Sequence, residues 1–461
     1  MKRSFWKTRF GFYFAAICSS FGLGSLWRFP YVVADNGGGA FVLLYAFLLF
    51  VVGTPLLIGE LIIGRITQRS LLGVHQSTSS IRELPETSSK WTNFLNPSKI
   101  GKLTVFLSIA VLSYYAVISG WVFYLFTQFL IGYFELLDVP LSEAFIHLRT
   151  SGWLQVVLTG CHLLFVGLIV RQGVEKGVER VLGLTMPIFV ILLIVLIGKS
   201  LSLEGSEEAL RFMLYPDFSK LTLTTFANAL GHVLFTLSVG FGTLVTFGSY
   251  LRERTDLPFA GFHITVLDSI ISFFAGIIIF PLVFQVGGIV SPLTIFFDVV
   301  PQLFLQIPGG LLYGIIFFLC FYLAALGASI ALFESIVANL RDERAVSREQ
   351  ASLWSGVIVF VVALFPALSS TLFSGLTLSG DGVLGWLDKL VVNWFLPIAA
   401  LLISWIATSQ IKEHLVKEHF VTRDDHSSIE IYHLWRACTK YFIPILIGIV
   451  LVLQTIDLFI K

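Results

Sequence analysis

The chain has 461 residues, of which 56% are hydrophobic and only 13% are charged, and its mean hydropathy is +0.87. A soluble protein of this length could not cover that much apolar surface, so the composition excludes an ordinary soluble fold and predicts a protein embedded in lipid. The formal net charge of +1 points to no particular partner, and we expect no nucleic-acid partner.

About eleven apolar segments are long enough to cross a bilayer, whose hydrocarbon core takes roughly 20 residues of helix. We number these predicted helices 1 to 11 in chain order, and they cover roughly residues 10–34, 40–64, 103–134, 153–170, 180–200, 222–250, 260–287, 307–340, 353–371, 385–409 and 434–460. The predicted fold class is therefore an all-α integral membrane protein, with one transmembrane domain over residues 1–461. The four cysteines fall in or at the edge of these segments, so we expect no disulfide framework.

The distribution of Lys and Arg predicts the orientation. With a cytoplasmic N-terminus, most Lys and Arg residues lie in cytoplasmic loops, and the external side has Arg149, Lys199, Arg211, Lys220, Lys389 and Lys461. The positive-inside rule then places the N-terminus in the cytoplasm and, because the helix number is odd, the C-terminus outside. The expected location is the cell (inner) membrane, as a multi-pass protein.

Helix 1 contains the sequence CSSFGLGSLWRFP at residues 18–30. Gly22 and Gly24, with serines around them and Arg28 and Pro30 after them, predict a helix that breaks at membrane depth. Broken backbone at that depth is tolerated only where it lines a cavity or is buried in protein. We therefore expect this break to form half of a binding site, although glycines that serve only close helix packing remain the alternative.

Helix 6 contains a similar sequence, FTLSVGFGTLVTFGSY, at residues 235–250. Two interrupted helices in corresponding positions predict an inverted repeat with a site at the breaks. The first repeat should cover about residues 8–200 and the second about 222–410, with helix 11 (434–460) as an extra helix. Free N–H groups at the start of a half-helix favour a carboxylate, and free carbonyls at the end of the other half favour a cation.

Two external loops have apolar or amphipathic character. Residues 288–306, between helices 7 and 8, are too short and too Pro-interrupted to span the membrane, so we expect them to fold back over the site as a lid. The stretch before residue 222 is amphipathic and is expected to be partly helical.

Three stretches carry a resemblance to a known family, namely GSLWRFPYVVADNGGGAF, SYYAVISGW (113–121) and FTLSVGFG. With them the chain resembles the neurotransmitter:sodium symporter family over essentially its whole length, and RFP followed by NGGGAF at this spacing is highly specific. The resemblance implies the leucine-transporter fold, a five-plus-five inverted repeat with broken helices 1 and 6. It also implies an amino acid bound between helices 1, 3, 6 and 8.

The resemblance implies which groups bind that amino acid. The main chain at Ser20–Gly24, with the hydroxyl of Tyr115, should take the carboxylate, and the main chain around Phe235 and Ser238 should take the amine. Phe241 should cap the pocket from outside. The predicted substrate-binding residues are Ser20, Phe21, Gly22, Gly24, Val111, Tyr115, Phe235, Ser238, Phe241, Ser329 and Leu332.

Gates on both sides of the site are implied in the same way. The predicted gate residues are Arg28 and Asp388 on the outer side, and Arg3, Trp6, Asp342 and Tyr250 on the inner side. Glu60 in helix 2 should hold the break of helix 6.

The family has two sodium sites, and this sequence departs from the family pattern at both. The first matches Ser20, Ser25, Thr236 and Asp268, where the family usually has asparagine at the positions of Ser25 and Asp268. The second matches the carbonyls of Cys18, Phe21 and Ala324 together with positions Gly327 and Ala328, which offer no side-chain oxygen. Because Na⁺ needs oxygen ligands, we expect a modified first site and a weak or absent second site.

Asp268 also bears on chloride. Chloride-dependent members of the family bind the anion with residues that match Tyr45, Thr236 and Ser272, with His232 and Asp268 at the other positions, and chloride-independent members carry an acid at the position of Ser272. Asp268 lies four residues before Ser272 on the same helix face, so it can supply that negative charge. We therefore expect no chloride requirement.

A carboxylate near the bilayer centre costs about 2.5–3.5 kcal/mol on insertion scales, and such residues are usually functional. His232 lies four residues before Thr236 and should share its helix face, so Asp268 and His232 are candidates for a proton-responsive pair. The hypothesis is that protonation of Asp268, with or without His232, replaces some or all sodium coupling. A structural hydrogen bond of Asp268 and a simply packed His232 are the alternatives.

These observations predict a secondary active symporter for a neutral, apolar or aromatic amino acid, coupled to Na⁺ at one modified site, to H⁺ through Asp268, or to both. Position Gly22 lacks the acidic group that monoamine carriers use, which favours a substrate with its own carboxylate. The alternatives are a sodium-independent, proton-coupled carrier or exchanger, and a non-transporting amino-acid sensor. An enzyme is not expected, and the expected partners are the amino acid and the lipid bilayer, with the protein as a monomer or homodimer.

Overall fold

The computed structural model describes residues 4–76, 81, 96–137, 140–252, 255–285, 297, 299–377, 382–421 and 426–460. Within this part of the chain the regular secondary structure is helical, and the β-type pairing is an isolated bridge between Gly38 and Pro216. The predicted all-α fold class is confirmed. The predicted gate residue Arg3 and most of the predicted lid lie outside the described residues.

Nine continuous helices in the described residues are long and apolar enough to cross a bilayer. They are helix 2 (Gly39–Thr67), helix 3 (Pro97–Tyr133), helix 4 (Gly152–Arg171), helix 5 (Val174–Ser200), helix 7 (Leu257–Gln285), helix 8 (Gly310–Arg344), helix 9 (Arg348–Ala367), helix 10 (Val383–Gln410) and helix 11 (Ser428–Ile456). Shorter helices connect them, at Leu71–Gln76, Leu141–Glu143, Ala144–Thr150, Ser206–Leu214, Phe218–Lys220, Val300–Gln306 and Glu413–Phe420. The helix at Ser206–Leu214 confirms the partly helical loop expected before helix 6.

Helix 1 is broken, as the sequence predicts. Its first half, Arg9–Ser20, is bent by 41° from its second half, Gly24–Asp35, across the three residues between them. Gly22 allows this break, because a β-carbon there would lie 2.0 Å from the hydroxyl oxygen of Tyr115 in helix 3. The glycine therefore allows the Tyr115 side chain of helix 3 to approach the main chain between the two halves of helix 1.

Helix 6 is broken more widely, into Leu223–Thr236 and Thr243–Gly248. Each half is too short to cross a bilayer by itself, so this pass is recognised by its position between helices 5 and 7 and not by its length. The intervening chain takes left-handed backbone angles at Ser238 (φ 54°), Gly240 (φ 93°) and Gly242 (φ 70°). Such angles suit glycine and cost a residue with a side chain, which explains the two glycines of the motif.

Glu60 in helix 2 braces the broken segment of helix 6, as predicted from the resemblance. Its Oε1 atom accepts a hydrogen bond of 2.7 Å from the main-chain N–H of Gly240, and the main chains of Leu244 and Val245 also interact with this carboxylate. Glu60 is 1% exposed. A buried N–H without a partner costs roughly 1–3 kcal/mol, so the acid stabilises a conformation that the helix itself cannot satisfy.

The remaining helices place the two breaks opposite each other. Helices 3 and 8 pack against one another along much of their length, with helices 4 and 9 beside them, and the first half of helix 1 lies between helices 5 and 8. The first half of helix 6 packs on helices 2 and 10, and its second half packs on helix 2. Helices 1, 3, 6 and 8 therefore meet at the breaks, as the predicted fold requires.

Replacing Gly240 with alanine tests the backbone conformation of this break. We expect Gly240→Ala to lower the thermal unfolding midpoint in detergent, because alanine at φ 93° costs about 1–2 kcal/mol and its β-carbon would lie 2.8 Å from Cδ1 of Leu396. The matched control is Gly198→Ala in helix 5, where a β-carbon has open space around it and alanine is the better helix former. Unfolding is monitored by tryptophan fluorescence. Equal midpoints for the two variants would show that the backbone of Gly240 does not require glycine.

Candidate substrate and ion site at the helix breaks

A narrow cavity lies where the breaks of helices 1 and 6 meet helices 3 and 8. Its lining residues are Ser19, Ser20, Gly22, Gly24, Val111, Tyr115, Phe235, Ser238, Phe241, Ala328 and Leu332. The free space is about 20 Å³, which is room for about one water molecule. Admitting an amino acid therefore requires the walls to move apart, and the structure represents a contracted state of the site.

Most of the predicted substrate-binding residues share this cavity, and two further residues join them. Ser19 was not predicted, and Ala328 was assigned to the second sodium site. The side chain of Phe21 stacks on Phe189, with ring centroids 4.7 Å apart, so only its main chain can take the role predicted for it. Ser329 does not line the cavity, because its hydroxyl lies 2.9 Å from Nε2 of His162 in helix 4.

Two hydrogen bonds tie the broken segments to their surroundings. The main-chain N–H of Leu23 donates to the Tyr115 hydroxyl at 2.6 Å, and the Ser238 hydroxyl donates to the carbonyl of Ser19 at 2.5 Å. The first bond uses a lone pair of Tyr115 and leaves its O–H proton for another acceptor, such as a carboxylate. The second bond joins the break of helix 6 directly to the end of the first half of helix 1.

The expectation that Phe241 caps the cavity on its outer side is wrong, because Phe235 occupies that position. The guanidinium carbon of Arg28 lies 5.8 Å from the ring centroid of Phe235, so this ring stands between the cavity and the outer ion pair. Phe241 contacts Phe235 edge to face at 6.2 Å, and its carbonyl accepts a hydrogen bond from Ser108. Phe235 thus lies near the end of the first half of helix 6, and Phe241 lies in the non-helical segment after it.

Asp268 is the centre of a buried polar cluster beside the cavity. Its Oδ1 accepts from the Ser25 hydroxyl at 3.1 Å, and its Oδ2 accepts from the Tyr45 hydroxyl at 2.9 Å. The Tyr45 oxygen also lies 3.4 Å from Oγ1 of Thr236 and 3.3 Å from Oγ of Ser272. A carboxylate and several hydroxyl oxygens, from helices 1, 2, 6 and 7, are ligands of the kind that a hard cation such as Na⁺ prefers.

Ser20 does not join this cluster through its side chain, although it was predicted as a ligand of the first ion site. Its hydroxyl donates to the carbonyl of Ala16 within helix 1, at 3.0 Å. This leaves Ser25, Thr236 and Asp268 as the predicted first-site residues that the structure brings together. Ser20 contributes to the cavity wall instead.

Helices 1 and 8 pack closely at the residues predicted for the second ion site. A β-carbon at Gly327 would lie 3.0 Å from Cβ and 3.7 Å from the carbonyl oxygen of Cys18. One residue further, the side chain of Ala328 lies 2.6 Å from the position that a β-carbon on Gly22 would take. Neither helix 8 residue has a side-chain oxygen, so the carbonyls of Cys18, Phe21 and Ala324 are the oxygen atoms left at this position.

The outer side of the site is closed by a buried ion pair. Nε of Arg28 lies 3.4 Å from Oδ2 of Asp388, and both residues are buried. Oδ1 of Asp388 accepts from the Tyr114 hydroxyl at 3.1 Å, and Nη1 of Arg28 lies 3.3 Å from Nδ1 of His232. His232 therefore contacts the outer gate, and its ring lies 5.2 Å from that of Tyr45, so it stands between the gate and the Asp268 cluster.

The inner side is closed as well. The indole N–H of Trp6 donates to the carbonyl of Phe247 at 3.1 Å, and its main-chain N–H donates to the carbonyl of Tyr250 at 3.0 Å. The Tyr250 hydroxyl donates to Glu334 at 2.7 Å, and Glu334 forms an ion pair with Arg348 of helix 9. Trp6 and Tyr250 thus hold the start of helix 1 against helix 6, and the structure is closed on both sides.

Asp342 lies near the C-terminal end of helix 8, where the resemblance places the inner gate. Its Oδ2 accepts from the main-chain N–H of Ser70 at 2.7 Å, and its Oδ1 lies 4.0 Å from the Arg69 guanidinium. Its predicted partner Arg3 lies outside the described residues. The contacts described for Asp342 therefore fasten the turn after helix 2 to helix 8.

Glu179 makes contacts with the start of helix 1 that the sequence analysis missed. Its carboxylate accepts from the main-chain N–H groups of Lys7 (2.9 Å) and Thr8 (3.0 Å) and from the Thr8 hydroxyl (2.6 Å). An anion at the start of a helix satisfies N–H groups that have no partner within the helix. Glu179 therefore fastens the start of helix 1 to helix 5, and only the distance of 171 residues along the chain hid this contact.

Comparison with known proteins identifies the family that the sequence resembles. The model of the sodium:neurotransmitter symporter family matches residues 3–134 and 131–459. A protein of Bacillus subtilis (strain 168) named as the uncharacterized sodium-dependent transporter YhdH is 33% identical over 452 residues, covering 96% of each chain. The sodium-dependent neutral amino acid transporter B(0)AT2 of Rattus norvegicus is 29% identical over 62% of this chain and 41% of its own length. The crystal structure of MhsT in complex with L-phenylalanine matches with a TM-score of 0.86 and 31% identity, covering 98% of this chain and 99% of that chain.

The outer ion pair predicts a rank order of stability among three forms of the protein. Asp388→Asn removes the charge that balances the buried Arg28 and should cost about 3–5 kcal/mol, whereas Tyr114→Phe removes one hydrogen bond and should cost about 1–2 kcal/mol. Thermal unfolding in detergent should therefore place the wild type first, Tyr114→Phe second and Asp388→Asn last. If Asp388→Asn is as stable as Tyr114→Phe, the ion pair does not hold the outer side closed.

Proposed function

The chain belongs to the sodium:neurotransmitter symporter family, and we propose that it carries a neutral amino acid with an apolar or aromatic side chain by alternating access, coupled to Na⁺. Membership of this family makes the chain a multi-pass membrane transporter and not an enzyme. The choice of substrate and the number and kind of coupled ions are the proposed part.

One observation carries the proposal, namely that the cavity combines carboxylate-binding groups with an apolar wall. The Tyr115 hydroxyl and the broken main chain of helix 1 suit a substrate carboxylate, while Val111, Phe235 and Leu332 suit an apolar side chain. The L-phenylalanine bound in MhsT and the neutral amino acids named for B(0)AT2 support the same substrate class.

The Asp268 cluster, our candidate ion site, lies directly beside the cavity along both broken helices. Gly24 lines the cavity and Ser25 bonds to Asp268, while Phe235 lines the cavity and Thr236 faces the same cluster. The substrate carboxylate and Asp268 are both negative, so a cation between them removes a repulsion that is strong in a buried site. Binding of substrate and of Na⁺ would therefore favour each other, which is the basis of coupled transport.

A proton is the second candidate for the coupling ion, and one observation favours it. Asp268 is fully buried, and the helix 8 positions of the second ion site, Gly327 and Ala328, supply no side-chain oxygen. A proton on Asp268 would remove the same repulsion without any coordination sphere. His232 contacts Arg28 rather than Asp268, so a proton on His232 would act on the outer gate.

Uptake into proteoliposomes tests the proposal, with the Na⁺, H⁺ and Cl⁻ gradients varied separately and a panel of labelled neutral amino acids. We expect uptake of an apolar or aromatic amino acid driven by a Na⁺ gradient and unaffected by removal of Cl⁻. Uptake driven by a pH gradient alone would favour the proton-coupled carrier. Substrate binding without any uptake would favour a sensor and contradict transport.

The variant Asp268→Asn separates the two coupling ions. It keeps a ligating oxygen but loses the charge and the proton site, so any dependence of uptake on the pH gradient should disappear. The matched control is Ser272→Ala. It removes an uncharged side chain that contacts the same Tyr45 hydroxyl, so the dependence of uptake on the pH gradient should stay unchanged. Full pH-dependent uptake by Asp268→Asn would show that this carboxyl group does not carry the coupled proton.

A further inference from the structure

Helix 4 carries a buried histidine that neither the substrate site nor the ion site uses. His162 is 3% exposed and lies in the middle of Gly152–Arg171, at membrane depth. An ionisable residue at that depth is costly to place and usually has a function. Helix 4 does not reach the cavity, so any effect of His162 on the substrate must pass through helix 8.

The contact to helix 8 is a short hydrogen bond. Nε2 of His162 lies 2.9 Å from Oγ of Ser329, which is itself fully buried, and Nδ1 lies 3.5 Å from the Tyr322 hydroxyl. In one tautomer Nε2 accepts the serine proton and Nδ1–H faces Tyr322, and in the other Nε2–H donates to the serine oxygen. In both tautomers the serine oxygen points to helix 4.

Ser329 lies at the edge of the cavity wall that helix 8 presents. Ala328 and Leu332 line the cavity, and successive helix residues are rotated by about 100°, so position 329 lies next to this wall. A serine side chain has three staggered orientations, and the bond to His162 selects the one directed away from the cavity. The part of the wall that helix 8 contributes is therefore formed by the methyl group of Ala328 and the isobutyl group of Leu332.

We propose that His162 is a specificity-determining positioning residue, which holds the Ser329 hydroxyl out of the cavity and so makes the helix 8 wall select apolar over hydroxylated amino acid side chains. The inference rests on the proposed function, since it concerns the substrate class of the same site. Without the histidine, the Ser329 hydroxyl is free to turn to the cavity edge, where it can bond a hydroxyl group of a substrate. An apolar wall disfavours a substrate hydroxyl group that finds no hydrogen-bond partner there, and a freed Ser329 hydroxyl would supply that partner and reduce the selectivity.

L-Valine and L-threonine are the probes, because they have nearly the same shape and differ by one hydroxyl group. Their inhibition constants are measured against uptake of labelled L-phenylalanine by the wild type, His162→Phe, Ser329→Ala and the double variant. We expect His162→Phe to lower the preference for valine over threonine about tenfold, which is the value of one hydrogen bond of about 1.4 kcal/mol. Ser329→Ala should keep the wild-type preference, and it should restore that preference when it is added to His162→Phe.

The conservative variant His162→Gln provides a rescue, because its amide can still bond the serine hydroxyl and should return the preference most of the way to the wild-type value. A mere loss of stability would slow the uptake of all substrates and leave the ratio of the two inhibition constants unchanged. If His162→Phe does not reach the membrane, His162→Leu removes the same bond with a smaller side chain.

The outcomes separate this inference from the proposed function. If the wild type takes up no neutral amino acid, the proposed function fails. If it takes up phenylalanine but His162→Phe keeps the wild-type ratio, or the double variant behaves like His162→Phe, then His162 has a structural role only. Absence of competition by both valine and threonine also contradicts the inference, because the helix 8 wall would then not face the substrate side chain.

Discussion

Backbone that leaves the helical state inside a membrane must find partners for its polar groups within the protein, and the rest of this structure depends on how those partners are supplied. Glu60 supplies an acceptor for the break in helix 6, and Tyr115 supplies one for the break in helix 1. Ser238 then joins the two breaks to each other. The breaks therefore form one connected unit, held by side chains from helices 2 and 3, which are continuous.

Charged side chains inside the membrane also need partners within the protein, and they lie in three places along the transport path. Arg28 and Asp388 balance one another on the outer side, and Glu334 and Arg348 do so on the inner side. Between them, Asp268 is surrounded by hydroxyl groups and has no basic partner among its described contacts. The outer and inner pairs balance their charges within the protein, whereas Asp268 is the level at which we propose that a transported cation completes the balance.

Much of this arrangement could be predicted from the sequence, because glycine pairs within apolar segments and the spacing of RFP and NGGGAF leave few alternatives. The all-α fold followed from the long apolar segments, the broken helices from the glycine pairs, and most of the cavity lining from what the family resemblance implies. The errors concern the direction of individual side chains. Sequence position cannot tell whether Phe235 or Phe241 lies on the outer side of a break, nor that Ser329 turns to helix 4, because both depend on helix rotation. Glu179 escaped notice since its contact joins residues 171 positions apart.

The close contact between Gly327 and Cys18 bears on how far the protein could concentrate its substrate. Each Na⁺ that crosses with an amino acid contributes its own driving force, about 1.4 kcal/mol for a tenfold concentration ratio and about 2.3 kcal/mol per 100 mV of membrane potential. Two coupled ions would double this free energy. With one coupled ion, this free energy is the upper limit for the accumulation of the amino acid. If Gly327 and Ala328 leave no second sodium site, as we propose from their lack of side-chain oxygens, accumulation would be limited to the driving force of a single ion. Each imported molecule would in return dissipate half as much of the cell's sodium gradient.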